Sequence, residues 1–366
     1  MPFTVTTFHR LLDRMADDGA SDLHLSSNEA PYFRIAGQLV RSPDQFSTAA
    51  ELEEVARGVT NPQQYKAFES QKSVDLAMAS ADGERFRVNI YRDRGNVSFA
   101  IRLLDNEFQT LEQLNLPEQL RNFIDMPDGL VLITGPTGSG KTTTLASLIN
   151  QINHDQTKHI ITIEDPIEYV HRNQQSLVHQ RELYTDVPTF GDAVRSSLRE
   201  DPDVILVGEM RDAETIRAAV TAAETGHLVF STLHTGDCVG AIDRMIGVFD
   251  AEEQLALRQQ LSMVLRGVVA QHLIKDPRTG GRVPLSEILF VNPAVANLIR
   301  TSKSAQIYSI MELGSLEGMQ TAEYALADLV ANGVLTESQA MPMARDQRAL
   351  KTRLDRLRGF EVFGNQ

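Results

Sequence analysis

The stretch LVLITGPTGSGKTTT, Leu130–Thr144, decides the fold. Its first half is a continuous apolar run, as expected of a strand covered on both faces. Its second half holds Gly135, Pro136, Thr137, Gly138, Ser139, Gly140, Lys141 and Thr142, a full G-x-x-x-x-G-K-[ST] pattern. Glycines let successive backbone N–H groups turn inward around an anion. The helix predicted to follow aims its positive end at the phosphates. Lys141 adds a full charge on the β- and γ-phosphates, and the Thr142 hydroxyl ligates Mg²⁺. The alternative is a glycine-rich turn that matches by chance, and the flanking strand and helix weigh against it.

Working outward, three more apolar runs recur between helical stretches: HIITI (159–163), DVILV (203–207) and HLVFSTL (227–233). The alternation predicts a doubly wound α/β unit on a parallel sheet. In such a sheet, ligands bind beyond the carboxyl ends of the strands. An NTPase needs carboxylates there, near the metal and near the attacking water. Glu209 follows the run ending at Val207 and is placed to hold Mg²⁺ through water. Glu164, Asp165 and Glu168 follow the run ending at Ile163. Spacing alone does not choose among those three.

Composition sets limits. With 366 residues the chain is too long for one ordinary core. A net charge of −14 argues against a nucleic-acid-coating protein. The single cysteine, Cys238, excludes an internal disulfide or a cysteine zinc module and suits a reducing cytoplasm. No apolar run approaches a bilayer span. Phe8, Leu11, Leu12 and Met15 instead fall at helical spacing, with Gly19 as a stop.

The first hundred residues read as hairpins, with turns at Gly37, Asp82-Gly83 and Gly95-Asn96. An antiparallel sheet with one or two covering helices is expected, the helical stretch including roughly Ala49–Phe68. TLEQLNLPEQLRNFI (110–124) reads as a helical linker broken at Pro117. The expected organisation is an N-terminal domain (1–104), a linker (105–128), an ATPase core (129–290) and a helical C-terminal region (291–366). In that region Thr336 and Gln339 have capping-box spacing. A basic helix around Leu350–Leu357 reads as a solvated face, with an acidic partner or membrane surface as the alternative. Between positions 85 and 102 the chain has five arginines and no lysine. Guanidinium suits bidentate phosphate contact, so one or two of Arg85, Arg87, Arg92, Arg94 and Arg102 are expected to reach nucleotide. Arg195 and Arg199 share a helix face, either at a subunit interface or in solvent.

GPTGSGKTTT, ITIEDPIEYVH, REDPDVILVGEMRD and AAETGHLVFSTLHT together resemble the secretion-type ATPases of type II secretion and type IV pili, and most of all the pilus retraction ATPases of twitching motility. GASDLHLS (19–26) and GMQT (318–321) extend the likeness over most of the chain. The resemblance implies a PAS-like α/β domain followed by a RecA-like P-loop ATPase core with a helical C-terminal extension. It implies a homo-hexamer that hydrolyses ATP with Mg²⁺ in the cytoplasm, at the inner-membrane face of the pilus machine, beside a platform protein and a second retraction ATPase. By motif position, Glu168 is the catalytic glutamate and Glu209 the Walker B glutamate. His227 and His234 form the histidine box, and the phosphate loop extends through Thr143. The family's N-domain arginines that reach ATP fall within ERFRVNIYRDRGNVSFAIR, with Arg85, Arg87 and Arg102 as the candidates. One departure is AVANLIR (294–300), where retraction motors read A-I-R-N-L-I-R. The tail after Ala340 also runs beyond the likeness.

The two histidines separate on physical grounds. Seven strand steps span roughly 23 Å, whereas ligands of one ion must lie within about 2–2.3 Å of it. They therefore cannot share a metal. His234 belongs to the carboxyl end, where it can sense a γ-phosphate or an acid that positions water. His227 follows Gly226, a helix stop, and its site role comes from the resemblance. Each has the plain alternative of a histidine satisfied at a strand end. Other readings stay open: a pilus-assembly or secretion ATPase, a DNA-translocating motor disfavoured by the acidic charge, and a nucleotide-binding regulator without turnover. Many assembly ATPases carry a four-cysteine zinc insert that this chain cannot form.

Overall fold

The computed structural model describes residues 2–43, 46–80, 83–104 and 107–364, with side chains to 358. Asp82 and Asp105, parts of an expected turn and an expected boundary, lie outside the described residues. Two compact units organise the chain. One comprises Met1–Glu107, Ile163–Arg172 and Gln180–Phe190; the other comprises Phe108–Thr162, Asn173–His179 and Gly191–Gln366. These differ from the contiguous spans expected from sequence. The acidic stretch around Glu168 belongs to the first unit because Arg85, Arg87, Asn61 and Gln64 bond to it or to the 184–185 turn.

In the first unit, α1 (Val5–Asp17), α2 (Ala49–Val59) and α3 (Pro62–Gln71) cover an antiparallel sheet. Its strands are β1 (Ala20–Leu25), β2 (Tyr32–Ile35), β3 (Gln38–Arg41), β4 (Ser73–Ala79), β5 (Arg85–Asp93) and β6 (Asn96–Leu104), in the order β3-β2-β1-β6-β5-β4. The helical stretch expected around 49–68 forms two helices, α2 and α3. Asn61 caps a new helix with Pro62 in its first turn, where a missing N–H costs nothing. Alternation then sorts the side chains. Phe86, Val88 and Ile90 of β5 are buried in one core with Phe8, Leu12, Leu52 and Phe68, while Arg85 and Arg87 lie on the other face. There Arg87 stands opposite Arg102, and Arg102 opposite Asp22.

In the second unit, the expected linker helix is replaced by a turn at 111–115 and a 3-10 helix over Glu118–Phe123. Pro117 disfavours α conformation just before it, and the remaining pieces are too short to nucleate an α-helix. A seven-stranded sheet follows, the last residues of its β8 and β9 being counted in the first unit: β7 (Gly129–Thr134), β8 (His159–Glu164), β9 (Leu177–Glu182), β10 (Val204–Val207), β11 (Leu228–Leu233), β12 (Leu265–Lys275) and β13 (Arg282–Phe290). Their order is β13-β12-β7-β11-β10-β8-β9. β10, β11 and β7 pair in parallel as expected; β12 adds parallel to β7, and β13 returns antiparallel to β12. That edge hairpin was not foreseen from the sequence.

The helices are α4 (Lys141–Asp155), α5 (Phe190–Ser197), α6 (Ala213–Glu224), α7 (Cys238–Gly247), α8 (Ala251–Val264), α9 (Pro293–Arg300), α10 (Ile307–Leu313), α11 (Ala322–Ala331), α12 (Glu337–Ala340) and α13 (Gln347–Gly364). Ile133, Leu148, Ile149, Leu206, Phe230 and Val269 build the core between sheet and helices. Leu326 of α11 and Leu350 and Leu354 of α13 pack with Ile274 and Leu285 of the β12–β13 hairpin. The Thr336–Gln339 capping box forms. On α13, Lys351 and Arg358 pair with Glu337, and Arg353 stacks over Tyr324 at 3.3 Å. No helix among the described residues is long and apolar enough to cross a membrane.

Candidate functional site

β7, β11 and β10 end at Thr134, Leu233 and Val207, so the segments that follow them leave from the same end of the sheet. From β7 the chain enters the phosphate loop. Pro136, Thr137 and Gly138 are exposed, Ser139 is buried, and Gly140 caps α4. Gly135 has φ of 149°, and a Cβ there would lie 2.2 Å from the Gln271 carbonyl oxygen. No other residue fits that position. Thr142 is exposed at the first turn of α4 and Thr143 half-buried beside it. Lys141 is buried, and its Nζ donates to the carbonyls of Gly135 at 2.9 Å and Pro136 at 3.1 Å. Burial lowers its pKa, and the nearby Glu209 carboxylate opposes that shift.

Glu209 itself is held on both sides. The Arg211 guanidinium pairs with Oε1, and His234 Nε2 lies 3.3 Å from Oε2. His234 is exposed and comes off the end of β11. The next residue locks that loop to the phosphate-loop strand. Thr235 N donates to Thr134 Oγ1 at 2.9 Å, and Thr134 Oγ1 donates to Thr235 O at 2.8 Å. His272 Nε2 on β12 donates to Gly236 O at 2.8 Å. Lys141, Thr142, Glu209 and His234 therefore share one rim. Arg211, Thr235, His272 and Gln271 were missed in the sequence. For Gln271 a signal existed, a lone amide inside the apolar run GVVAQHLI.

His227 stands elsewhere. It precedes the first residue of β11, at the end away from the phosphate loop. Its Nδ1 bonds the Ala222 carbonyl at 2.9 Å, closing the turn from α6 into the strand. His227 and His234 thus flank opposite ends of β11, the separation that excludes a shared metal ion. Arg195 pairs with Asp192 and Glu214.

In the first unit, Glu168 Oε1 accepts from Arg87 Nη1 at 3.0 Å, and Arg87 also faces Asp75 at 3.4 Å. Arg85 Nη2 donates to Ile167 O at 2.9 Å. Glu182 Oε2 accepts from Ile167 N, and Gln180 donates to Glu164 Oε1 and to Tyr169 O. Arg102 bonds Asp22 at 2.9 Å. Two arginines opposite each other across β5 and β6 would repel. Asp75, Glu168 and Asp22 offset that charge.

A model of type II/IV secretion system proteins matches residues 3–341. The chain belongs to that family. It is 45% identical to the type IV pilus retraction ATPase PilT of Pseudomonas aeruginosa, over 92% of this chain and 97% of that protein. It is 43% identical to a twitching motility protein of Neisseria gonorrhoeae, over 87% and 86% of the two chains. Among solved structures, the pilus retraction motor PilT with bound ADP superposes with a TM-score of 0.83 at 40% identity, covering 94% of this chain and 98% of that one. As in that family, the fold is an N-terminal α/β domain with a RecA-like ATPase core.

Proposed function

We propose that the chain is an ATP-hydrolysing motor that powers type IV pilus retraction, and with it twitching motility, as a ring of six subunits. One observation carries this reading. The phosphate loop, Glu209 and His234 meet at one end of one sheet, in a chain alike over nearly its whole length to retraction ATPases. Backbone N–H groups of Thr137 to Thr143 cradle the phosphates, and Lys141 exchanges its loop carbonyls for phosphate oxygens. Glu168 orients or deprotonates the attacking water, while Arg85, Arg87 and Arg102 supply guanidinium charge to the phosphates. His234, held against Glu209, reports the state of the γ-phosphate. His227 sits apart from that rim, and its part is to fix the turn into β11.

The donor set fits Mg²⁺. This cation takes one or two protein ligands and keeps several waters. The exposed Thr142 hydroxyl and the Glu209 carboxylate, the latter through water, are hard oxygens of that kind. No cluster of three or more His, Cys, Asp or Glu suited to a metal exists among the described residues, and Mg²⁺ needs none. When bound, it neutralises charge on the phosphates.

The ring works in the cytoplasm at the inner-membrane face of the pilus machine, against a platform protein. Ala296 of α9 stands where the retraction motif has arginine, which favours a second reading, an accessory motor acting beside another retraction ATPase. A deletion strain separates these. Excess surface pili without twitching supports the main motor, normal pilus number with weakened twitching supports the accessory, and loss of pili overturns retraction in favour of assembly.

A further inference from the structure

β12 lies parallel to β7, with Ala270 opposite Thr134, so Gln271 stands beside the start of the phosphate loop. It is 2% exposed. Both ends of its amide are in use. Nε2 donates to Ser139 O at 2.8 Å, and Oε1 accepts from Thr144 Oγ1 at 2.8 Å. The orientation follows from chemistry, because a carbonyl can only accept and the end facing Ser139 O must be the NH₂. The loop also sits tightly on this residue. A Cβ at Gly140 would come within 2.8 Å of Gln271 Nε2, and one at Gly135 within 2.2 Å of its carbonyl oxygen.

A loop that aims its N–H groups at an anion turns carbonyls the other way. Where that outward side is buried, a carbonyl without a donor is costly. Ser139 is such a position, and Gln271 supplies the donor. Thr144, in the first turn of α4, holds the amide in the right rotation.

We propose that Gln271 is a positioning residue for nucleotide. It keeps the phosphate loop in its anion-binding form and ties that loop, through Thr144, to the helix that follows. The proposal rests on the reading that the loop binds ATP. It acts on the ground-state grip of the phosphates and not on the water-attacking groups, so it separates KM from kcat.

The test uses the full chain with Mg²⁺ and a fluorescent ADP analogue, together with steady-state turnover and thermal unfolding. Gln271→Met keeps the length and removes both hydrogen bonds. It should weaken ADP binding and raise KM for ATP about tenfold, equivalent to about 1.4 kcal/mol, with kcat near wild type. Gln271→Glu keeps an acceptor for Thr144 but sets an oxygen against Ser139 O, and should be worse. Thr144→Val should shift KM in the same direction by less, and Thr144→Ser should restore it. A folded Gln271→Met with wild-type affinity and KM overturns the proposal, as does a fall in melting temperature and kcat with KM unmoved. If Gln271→Met does not fold, a wild-type KM in Thr144→Val overturns it. If the wild-type chain binds no ADP analogue, the nucleotide reading itself fails and takes this proposal with it.

Discussion

Replacing Lys141 with methionine should abolish most turnover while leaving the fold intact. The ammonium is buried and donates to two loop carbonyls, at 2.9 and 3.1 Å. Removing it leaves those carbonyls without that donor, which costs stability. It also relieves the burial of a charge. Burial lowers the Lys141 pKa despite Glu209. A base with a depressed folded pKa binds fewer protons folded than unfolded. The charged folded state is therefore penalised at pH 7, and the penalty fades as pH rises from the lowered pKa toward the ordinary lysine value of about 10.4. Lys141→Met loses the two carbonyl bonds but also the buried charge, opposing effects, so without nucleotide its melting temperature should stay near wild type. With nucleotide the same charge faces phosphate. Losing one such preorganised donor costs about 3–4 kcal/mol, on the order of 10²- to 10³-fold in turnover. Phosphate release and thermal unfolding, with and without ADP, give both numbers on one preparation. The reasoning is refuted if turnover at saturating ATP stays at the wild-type rate. It is equally refuted if the variant melts far below wild type, since the lost activity would then reflect unfolding.

Three further outcomes are expected. Gly267→Ala should destabilise the second unit by about 1–3 kcal/mol through overpacking, because a Cβ there would lie 2.2 Å from Phe123 Cε1 and 2.9 Å from Leu289 O; an unchanged urea midpoint contradicts this. Burial raises the pKa of Glu287, which accepts from Cys238 N and Tyr308 Oη. Its stabilising contribution is present below the ordinary glutamate pKa and is lost as pH rises through the raised one, so wild type should lose melting temperature relative to Glu287→Gln as pH rises above the ordinary glutamate value, and an opposite trend rejects the assignment. His234→Ala should lower turnover about 10²-fold, the low end for a proton-transfer group, with ADP affinity unchanged; a parallel loss of affinity would place His234 in binding instead.

The phosphate loop was legible because all its chemistry is local. Gly135 to Thr142 are consecutive, and the backbone and helix end that use them are built from the same eight residues. The strands of the core were legible for a related reason, as a strand covered on both faces must be apolar at every position. Elements defined by a partner were harder. The β12–β13 hairpin carries polar Gln271, His272, Ser286 and Glu287 within its runs. The linker fell short of its helical pattern because Pro117 outweighs periodicity over so short a span.

By itself, then, the sequence determined a nucleotide-type loop between a buried strand and a helix, acidic residues past the ends of two later strands, and two histidines too far apart to share a metal. Only the tertiary structure decided which groups stand together. Gln271 reaches Ser139 across 132 residues, Arg87 reaches Glu168 across 81, and Glu209 reaches His234 across 25. Spacing along a chain fixes geometry only within one element, where every step has a set rise and turn. Between elements, position follows from which apolar faces are buried together, and polar partners are whatever that packing brings within hydrogen-bonding distance.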